Sequence, residues 1–269
     1  MIDVVVPCHP KDFDVLRLAV RSLLRHVDPV RRVVVVSEEQ FATGDARVEW
    51  VPEPALPVFP SLADVQARRP ELRGRAAWVY QQLLKLGAPE YVPDLSARFL
   101  VVDADVVFLR RVSFGPELPA FPFSRATELN ASYLEAYRRL TGDEAREGHS
   151  FVAHHMLFDA ELLSGLKDAI SAHHGLPWYW GYVDAVDPAD TSSIGEWDAY
   201  GQWVLAHHPE AALHRQLFWR DMRTVPGPWA RASFGLEYDF LAAHNYAREP
   251  RRARAWHVAK RLAGELVAR

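Results

Sequence analysis

The stretch Phe99-Leu100-Val101-Val102-Asp103-Ala104-Asp105-Val106-Val107-Phe108-Leu109 decides how this chain is read. Its first four residues are apolar and partly β-branched, the composition of a strand buried on both faces. Two acids, one residue apart, then interrupt it. An unpaired carboxylate is costly to bury, so the strand is expected to end at Asp103 and the chain to turn out at the carboxyl edge of a sheet. Open α/β sheets bind ligands at that edge. Two acids spaced i, i+2 across a turn can face one cation. A hard ion such as Mg²⁺ or Mn²⁺ takes few carboxylates and draws its other ligands from water and phosphate oxygens. Asp105 is read as the direct ligand, and Asp103 as a contact to the ribose or to the metal through water. The competing reading is a plain strand-end turn in which Asp103 caps a backbone amide. The apolar runs on both sides of the acids favour the site.

Outward from this strand the chain alternates strand and helix. Ile2 to Val6 is a short apolar strand stopped by Pro7-Cys8-His9-Pro10. Asp12 is placed to cap the next helix, in which Phe13, Leu16, Val20, Leu23 and Val27 share one face and Arg17, Arg21 and Arg25 a solvated one. Arg32 to Ser37 is a continuous β-branched run, as in a parallel sheet covered on both sides. Strand, helix, strand within 37 residues is a βαβ unit. Val48 to Val51 reads as a further strand. A proline-dense connection follows, and then a helix with Ser61 at its N-cap and Asp64 at the capping-box position.

The helix expected over Arg75 to Leu86 carries Trp78, Gln81, Gln82 and Lys85 on one stripe. One aromatic, two amides and an amine suit a polyhydroxyl or phosphate ligand. Gln82 and Lys85 are expected to face it, with Lys85 near phosphate. Asn130 to Leu140 reads as a helix with Tyr133 and Tyr137 on one face, and Gly142 to Gly148 as a polar loop. In Ser150 to Asp159, His154 and His155 are adjacent in an apolar strand, so one should line a site and the other pack. Asp159 opens a helix to His173. Seven of the nine tryptophans lie at or after Trp178, which makes the second half the candidate for stacking on sugar rings, although most of them read as core.

The segment from Gly195 to Gly201 leads into a helix ending near His208. Its acids, Glu196 and Asp198, are candidates to bind sugar hydroxyls or to act as a base, with Tyr200 packed behind them. Close ligand approach is one reading of the two glycines. If the helix already includes Glu196, residues two apart point about 200° apart and cannot both face one point. Ala212 to Phe218 reads as an edge strand, and Phe240 to Val267 as largely helical with a basic segment from Arg248 to Arg254.

Length and composition bound the rest. With 269 residues, 49% hydrophobic and 25% charged, the chain has the make-up of a globular protein. A net charge of −4 and short basic runs argue against nucleic acid as a partner. A single cysteine, Cys8, excludes an intrachain disulfide and a cysteine-based zinc site. No apolar run approaches the ~20 residues of a membrane span. No charged and apolar leader precedes the first strand, so a cytoplasmic location is expected.

Taken together, five blocks resemble the GT-A-fold nucleotide-sugar glycosyltransferases, and most nearly an uncharacterised bacterial glycosyltransferase-like family. They are Val4 to Asp12, Trp78 to Leu86, Val101 to Phe108, His154 to Asp159 and Gly195 to Gly201, the last with glycine where that family has serine. The resemblance implies one GT-A-like, Rossmann-like α/β domain over 1–269, its mostly parallel sheet flanked by helices. It places a nucleotide-binding half in 1–111 and an acceptor-binding half in 112–269. It implies donor contacts from Pro7, His9, Lys11, Asp12, Gln81, Gln82, Lys85 and Asp103, and sugar or acceptor contacts from His154, His155 and Tyr200. Catalysis falls to Glu196 and Asp198. Asp103 and Asp105 hold Mn²⁺ or Mg²⁺ against a donor diphosphate, a UDP-sugar being favoured. The acceptor is a glycan, lipid or small molecule. A metal-dependent nucleotidyltransferase, a phosphatase and a non-catalytic sugar-binding domain are the alternatives. The first loop has no glycine, which counts against the nucleotidyltransferase.

Overall fold

The computed structural model describes residues 1–54, 59–126, 131–146, 150–190 and 193–244. Its elements follow the alternation of the sequence. They begin with β1 (Ile2–Pro7), α1 (Phe13–His26), β2 (Val27–Asp28), β3 (Val30–Ser37), β4 (Val48–Pro52), α2 (Leu62–Arg68), α3 (Ala76–Leu86) and α4 (Ala88–Tyr91). The middle of the chain holds β5 (Arg98–Val102), β6 (Val106–Phe108), β7 (Val112–Ser113), β8 (Phe121–Phe123), α5 (Ala131–Thr141), β9 (His155–Asp159), α6 (Ala160–His174) and α7 (Trp178–Asp184). The last are α8 (Glu196–His207), β10 (Ala212–His214), β11 (Trp219–Asp221), α9 (Pro228–Phe234) and β12 (Phe240–Ala242).

The central sheet has the order β4-β3-β1-β5-β9. The first four strands are parallel and β9 is antiparallel to β5. The protein is therefore a mixed α/β fold with a mostly parallel sheet flanked by helices. Alternation along the strands explains the unbroken apolar runs. Val5, Val34, Val36, Phe99 and Val101 face a core shared with α3, α6 and α8. Val4, Val6, Val33, Val35, Leu100 and Val102 face a second core shared with α1. Burying both faces requires apolar residues at every position rather than every second one.

The chain runs from β1 outward to β3 and β4, then returns to place β5 on the other side of β1. The switch point between β1 and β5 opens a crevice at the carboxyl edge, the place where such sheets bind ligands. The loops leaving those two strands are Pro7-Cys8-His9 and Asp103-Ala104-Asp105.

Most local expectations match these elements. Ser61 and Asp64 form a reciprocal capping box at the start of α2, and Asp159 caps α6 by accepting from the Glu161 and Leu162 amides. Asp12 occupies the N-cap of α1 but makes no capping side-chain bond to it. The aromatic stretch after Pro177 is a short helix, α7, with Trp178, Tyr182 and Val183 buried. The expected helix from Phe240 begins instead as strand β12, antiparallel to β6 and parallel to β11. Phe240, Leu241 and Ala242 are all buried there, because that strand closes the second core beneath β6. Residues 245–269, with the basic segment Arg248 to Arg254, lie outside the described residues, as do Asn130 and residues 147–149 of the polar loop. No helix among the described residues is long and apolar enough to cross a membrane.

Candidate active site

β5 ends at Val102, and Asp103 turns the chain outward. The Asp103 amide donates to the His154 carbonyl at 3.0 Å, and the Val106 amide closes the turn on the Asp103 carbonyl at 3.1 Å. The Ala243 amide donates to the Asp105 carbonyl at 3.0 Å. Three segments far apart in sequence, 103–106, 153–154 and 243–244, are thus clamped together by backbone bonds. The cleft they border has a volume of about 580 Å³.

Two carboxylate groupings sit along this edge. In the first, Lys85 reaches from α3 to donate to Asp103 Oδ1 at 2.6 Å and Glu196 Oε1 at 2.5 Å. Its ammonium also lies 4.4 Å from the Trp197 ring centroid. Burial alone would lower the Lys85 pKa, but the Asp103 and Glu196 charges outweigh it and hold the ammonium above the usual lysine range. Burial likewise would raise the Asp103 carboxyl, yet Lys85 and His154 keep it well below the usual range. Glu196 is raised, by burial first and by the nearby Asp103 charge, with Lys85 pulling the other way.

The second grouping is His154, Asp105, Asp221 and His244. His154 Nδ1 lies 3.4 Å from Asp103 Oδ2, and His244 Nδ1 lies 3.2 Å from Asp105 Oδ2. Asp221 Oδ1 is 3.5 Å from His244 Nε2 and 3.7 Å from His154 Nε2. Burial would lower the His244 pKa, but hydrogen bonds to Asp105 and Asp221 raise it to about 10. His154 adopts a φ of +60°, a left-handed backbone held by the surrounding clamp.

This grouping fits a metal on two observations. Asp105 Oδ1 is buried with no hydrogen-bond partner, a costly state for a carboxylate oxygen. The ligand atoms of His154, Asp221 and His244 all lie within 4.8 Å of one another. Carboxylate oxygens with one or two imidazoles suit a divalent ion such as Mn²⁺.

Of the residues singled out from sequence, Pro7, His9, Lys11, Asp12, Gln81, Lys85, Asp103, Asp105, His154 and Glu196 line the cleft. Four are turned away from it. Gln82 is 1% exposed and accepts from the Tyr182 hydroxyl at 2.5 Å. His155 is caged by Phe108, Phe114 and Phe240, and burial pushes its pKa down to about 4. Asp198 accepts from the Ser150 hydroxyl at 2.9 Å and the Phe151 amide at 3.3 Å. Tyr200 is fully buried, its hydroxyl accepting from the Asp159 amide at 3.1 Å.

The Asp198 placement follows from the helix start, whereas Tyr200, one turn on from Glu196, is held in the core against Phe121 and Phe158. Helix α8 begins at Glu196 itself, so the 100° step per residue carries Asp198 away from the cleft. Gly201 serves packing rather than a ligand: a Cβ there would sit 2.7 Å from the Phe151 ring. Lys85 is bound to carboxylates where a phosphate contact was expected. His244 and Asp221 were not found from sequence. The available signal was the short run Phe240-Leu241-Ala242-Ala243 ending in His244, a second apolar strand running into a ligating side chain.

Residues 1–228 match DUF6492, a family of unknown function, and the chain belongs to it. No curated protein matches. Among solved structures, the chain is similar to mouse xyloside xylosyltransferase 1 in its apo form. The identity is 15% over 93% of this chain and 100% of that one, with a TM-score of 0.47.

Proposed function

We propose that the protein is a glycosyltransferase that moves a sugar from a nucleoside-diphosphate sugar, a UDP-sugar in the first instance, to an acceptor hydroxyl. A divalent cation would be held by Asp105, Asp221 and His244, with Asp103 and His154 steadying that set. The observation that carries this reading is the Asp103–Asp105 turn at the switch point beside β1, with a buried Asp105 oxygen left without a partner. A bound cation supplies charge neutralisation for a leaving diphosphate.

The remaining work falls to the chain's own side chains. Pro7, His9, Lys11, Asp12 and Gln81 border the nucleoside end of the cleft. Lys85 is a positioning residue that fixes Asp103 and Glu196 relative to each other. Glu196 is the carboxylate available to bind a sugar hydroxyl or accept the acceptor's proton, and its raised pKa moves it toward the range of a general base. Asp198 is reassigned to the support of residues 150–151.

Incubation with a panel of nucleotide sugars and Mn²⁺, scored for free nucleoside diphosphate, tests this reading. One donor is expected to turn over. Asp105→Asn and Glu196→Gln should each lower turnover by at least ~100-fold, while Asp198→Asn should lower the melting temperature and spare turnover. Pyrophosphate or orthophosphate as the product would replace the reading with a nucleotidyltransferase or a phosphatase.

A further inference from the structure

The cleft extends past the candidate metal ligands to a second acidic end that the reaction above leaves unused. β3 and β4 pair in parallel with Ser37 opposite Pro52. Glu38 and Glu53 therefore leave the carboxyl edge side by side, and both line the cleft. Burial raises the Glu53 carboxyl, and the Glu38 charge raises it further. Tyr80 of α3 stands beside this pair: its hydroxyl is raised by burial first, and then by the charges around it, Glu53 and Glu38 among them. Tyr80 is 4% exposed and lines the same cleft. Its ring packs in the core, but its oxygen adds nothing there. That hydroxyl is near enough to Glu53 to draw the carboxyl down, yet it is buried and closes no hydrogen bond. A buried hydroxyl without a partner is costly. Here it stands next to an acceptor, at the wall of a cleft, where a ligand can meet both.

Position selects the ligand. Asp103 follows β5, which lies two strands from β3 and three from β4 in the order β4-β3-β1-β5. At about 4.8 Å per strand, Glu38 and Glu53 stand about 10–15 Å from the acids proposed to hold the cation. A nucleoside diphosphate with its phosphates on that cation spans this gap and brings its base to Glu53. Ala77 and Leu84, on the Tyr80 stripe of α3, also line the cleft and offer a flat ring an apolar wall.

We propose that Glu53 and Tyr80 determine which base the donor carries: the Glu53 carboxylate accepts a ring N–H, and the Tyr80 hydroxyl donates to the carbonyl beside it. The inference rests on the donor reading above and adds the residues that choose the nucleotide. Uracil presents this pair at N3–H and O4, and guanine at N1–H and O6. Adenine and cytosine have an unprotonated ring nitrogen in the same place.

Calorimetric titration of the full chain with UDP, N3-methyl-UDP and GDP, each with Mn²⁺ present, tests it. Wild type should bind UDP at least ~10-fold more tightly than N3-methyl-UDP, which lacks the ring N–H. Glu53→Ala should bind UDP at least ~10-fold more weakly than wild type and no longer distinguish it from the methylated form. Tyr80→Phe should weaken UDP as well, with a melting temperature at or above that of wild type, because the hydroxyl it removes has no partner in the fold. If GDP binds more tightly than UDP and is the nucleotide that Glu53→Ala weakens, the same edge is met by guanine. Nucleotide binding that Glu53→Ala leaves unchanged overturns the inference while the donor reading stands. Binding of none of the three overturns both.

Discussion

The two edges of the central sheet treat buried acids in opposite ways. At the amino edge, Asp3 is fully buried in β1 and fully matched. Arg31 donates to both of its oxygens, at 2.7 and 2.5 Å, Arg32 adds a bond at 3.3 Å, and the Ser96 amide a fourth at 3.1 Å. At the carboxyl edge, the part-buried Asp103 and Asp105 and the buried Glu196 share Lys85 and two histidines, with the exposed Asp221 of β11 beside them, and one buried Asp105 oxygen has no partner. A matched acid ties the fold together. An unmatched one holds free energy that a cation or a sugar hydroxyl can recover.

Breaking the match at the carboxyl edge should give the largest stability effect. Lys85→Met leaves the buried Glu196 and the part-buried Asp103 carboxylates facing each other and should cost about 3–5 kcal/mol. Adding Glu196→Gln removes one of those charges, so the double variant should regain more than half of the loss in chemical denaturation. Additive losses would show that Lys85 acts by packing against Trp197 instead.

Asp3→Asn at the amino edge should cost less, about 1–3 kcal/mol, because the half-exposed Arg31 can return to water. The Asp3 carboxyl is held below its ordinary pKa: burial would raise it, but the Arg31 hydrogen bond, the Ser96 amide and the Arg32 charge prevail. Its contribution is therefore complete above the unfolded value near pH 4 and is lost as pH falls through the lower folded value. Stability of Asp3→Asn should accordingly change less than that of wild type between pH 4 and pH 2, as read by thermal melts. The smallest effect belongs far from both edges. Ser61→Ala removes one half of the α2 capping box and should cost about 1 kcal/mol with no change at the cleft.

The same contrast separates what the sequence disclosed from what it hid. The Val-rich runs of β1, β3 and β5 and the acids after β5 are local patterns, since a strand needs only its own residues to declare two buried faces. The Ser61–Asp64 box and the Asp159 cap are equally local. Direction within a helix is less local. Gln82 lies one helical step of about 100° from Gln81, and Asp198 two steps from Glu196, so each points away from the cleft that its neighbour lines. His155 differs from His154 because the left-handed turn at His154 comes before β9 begins. His244 meets Asp105 across 139 residues of chain, a contact made by strand pairing that no window of sequence contains.

The divalent cation proposed for the carboxyl edge would take up the one Asp105 oxygen left without a partner. Electron paramagnetic resonance of Mn²⁺ reads this directly, because the sharp six-line signal of the free ion disappears on binding. With UDP present, wild type should quench that signal at one equivalent per chain. Asp105→Asn should leave it at least ~10-fold less quenched at the same concentration, and His244→Ala should behave likewise, both with melting temperatures near that of wild type. Equal quenching by Asp105→Asn and wild type, or none by either, would contradict the account.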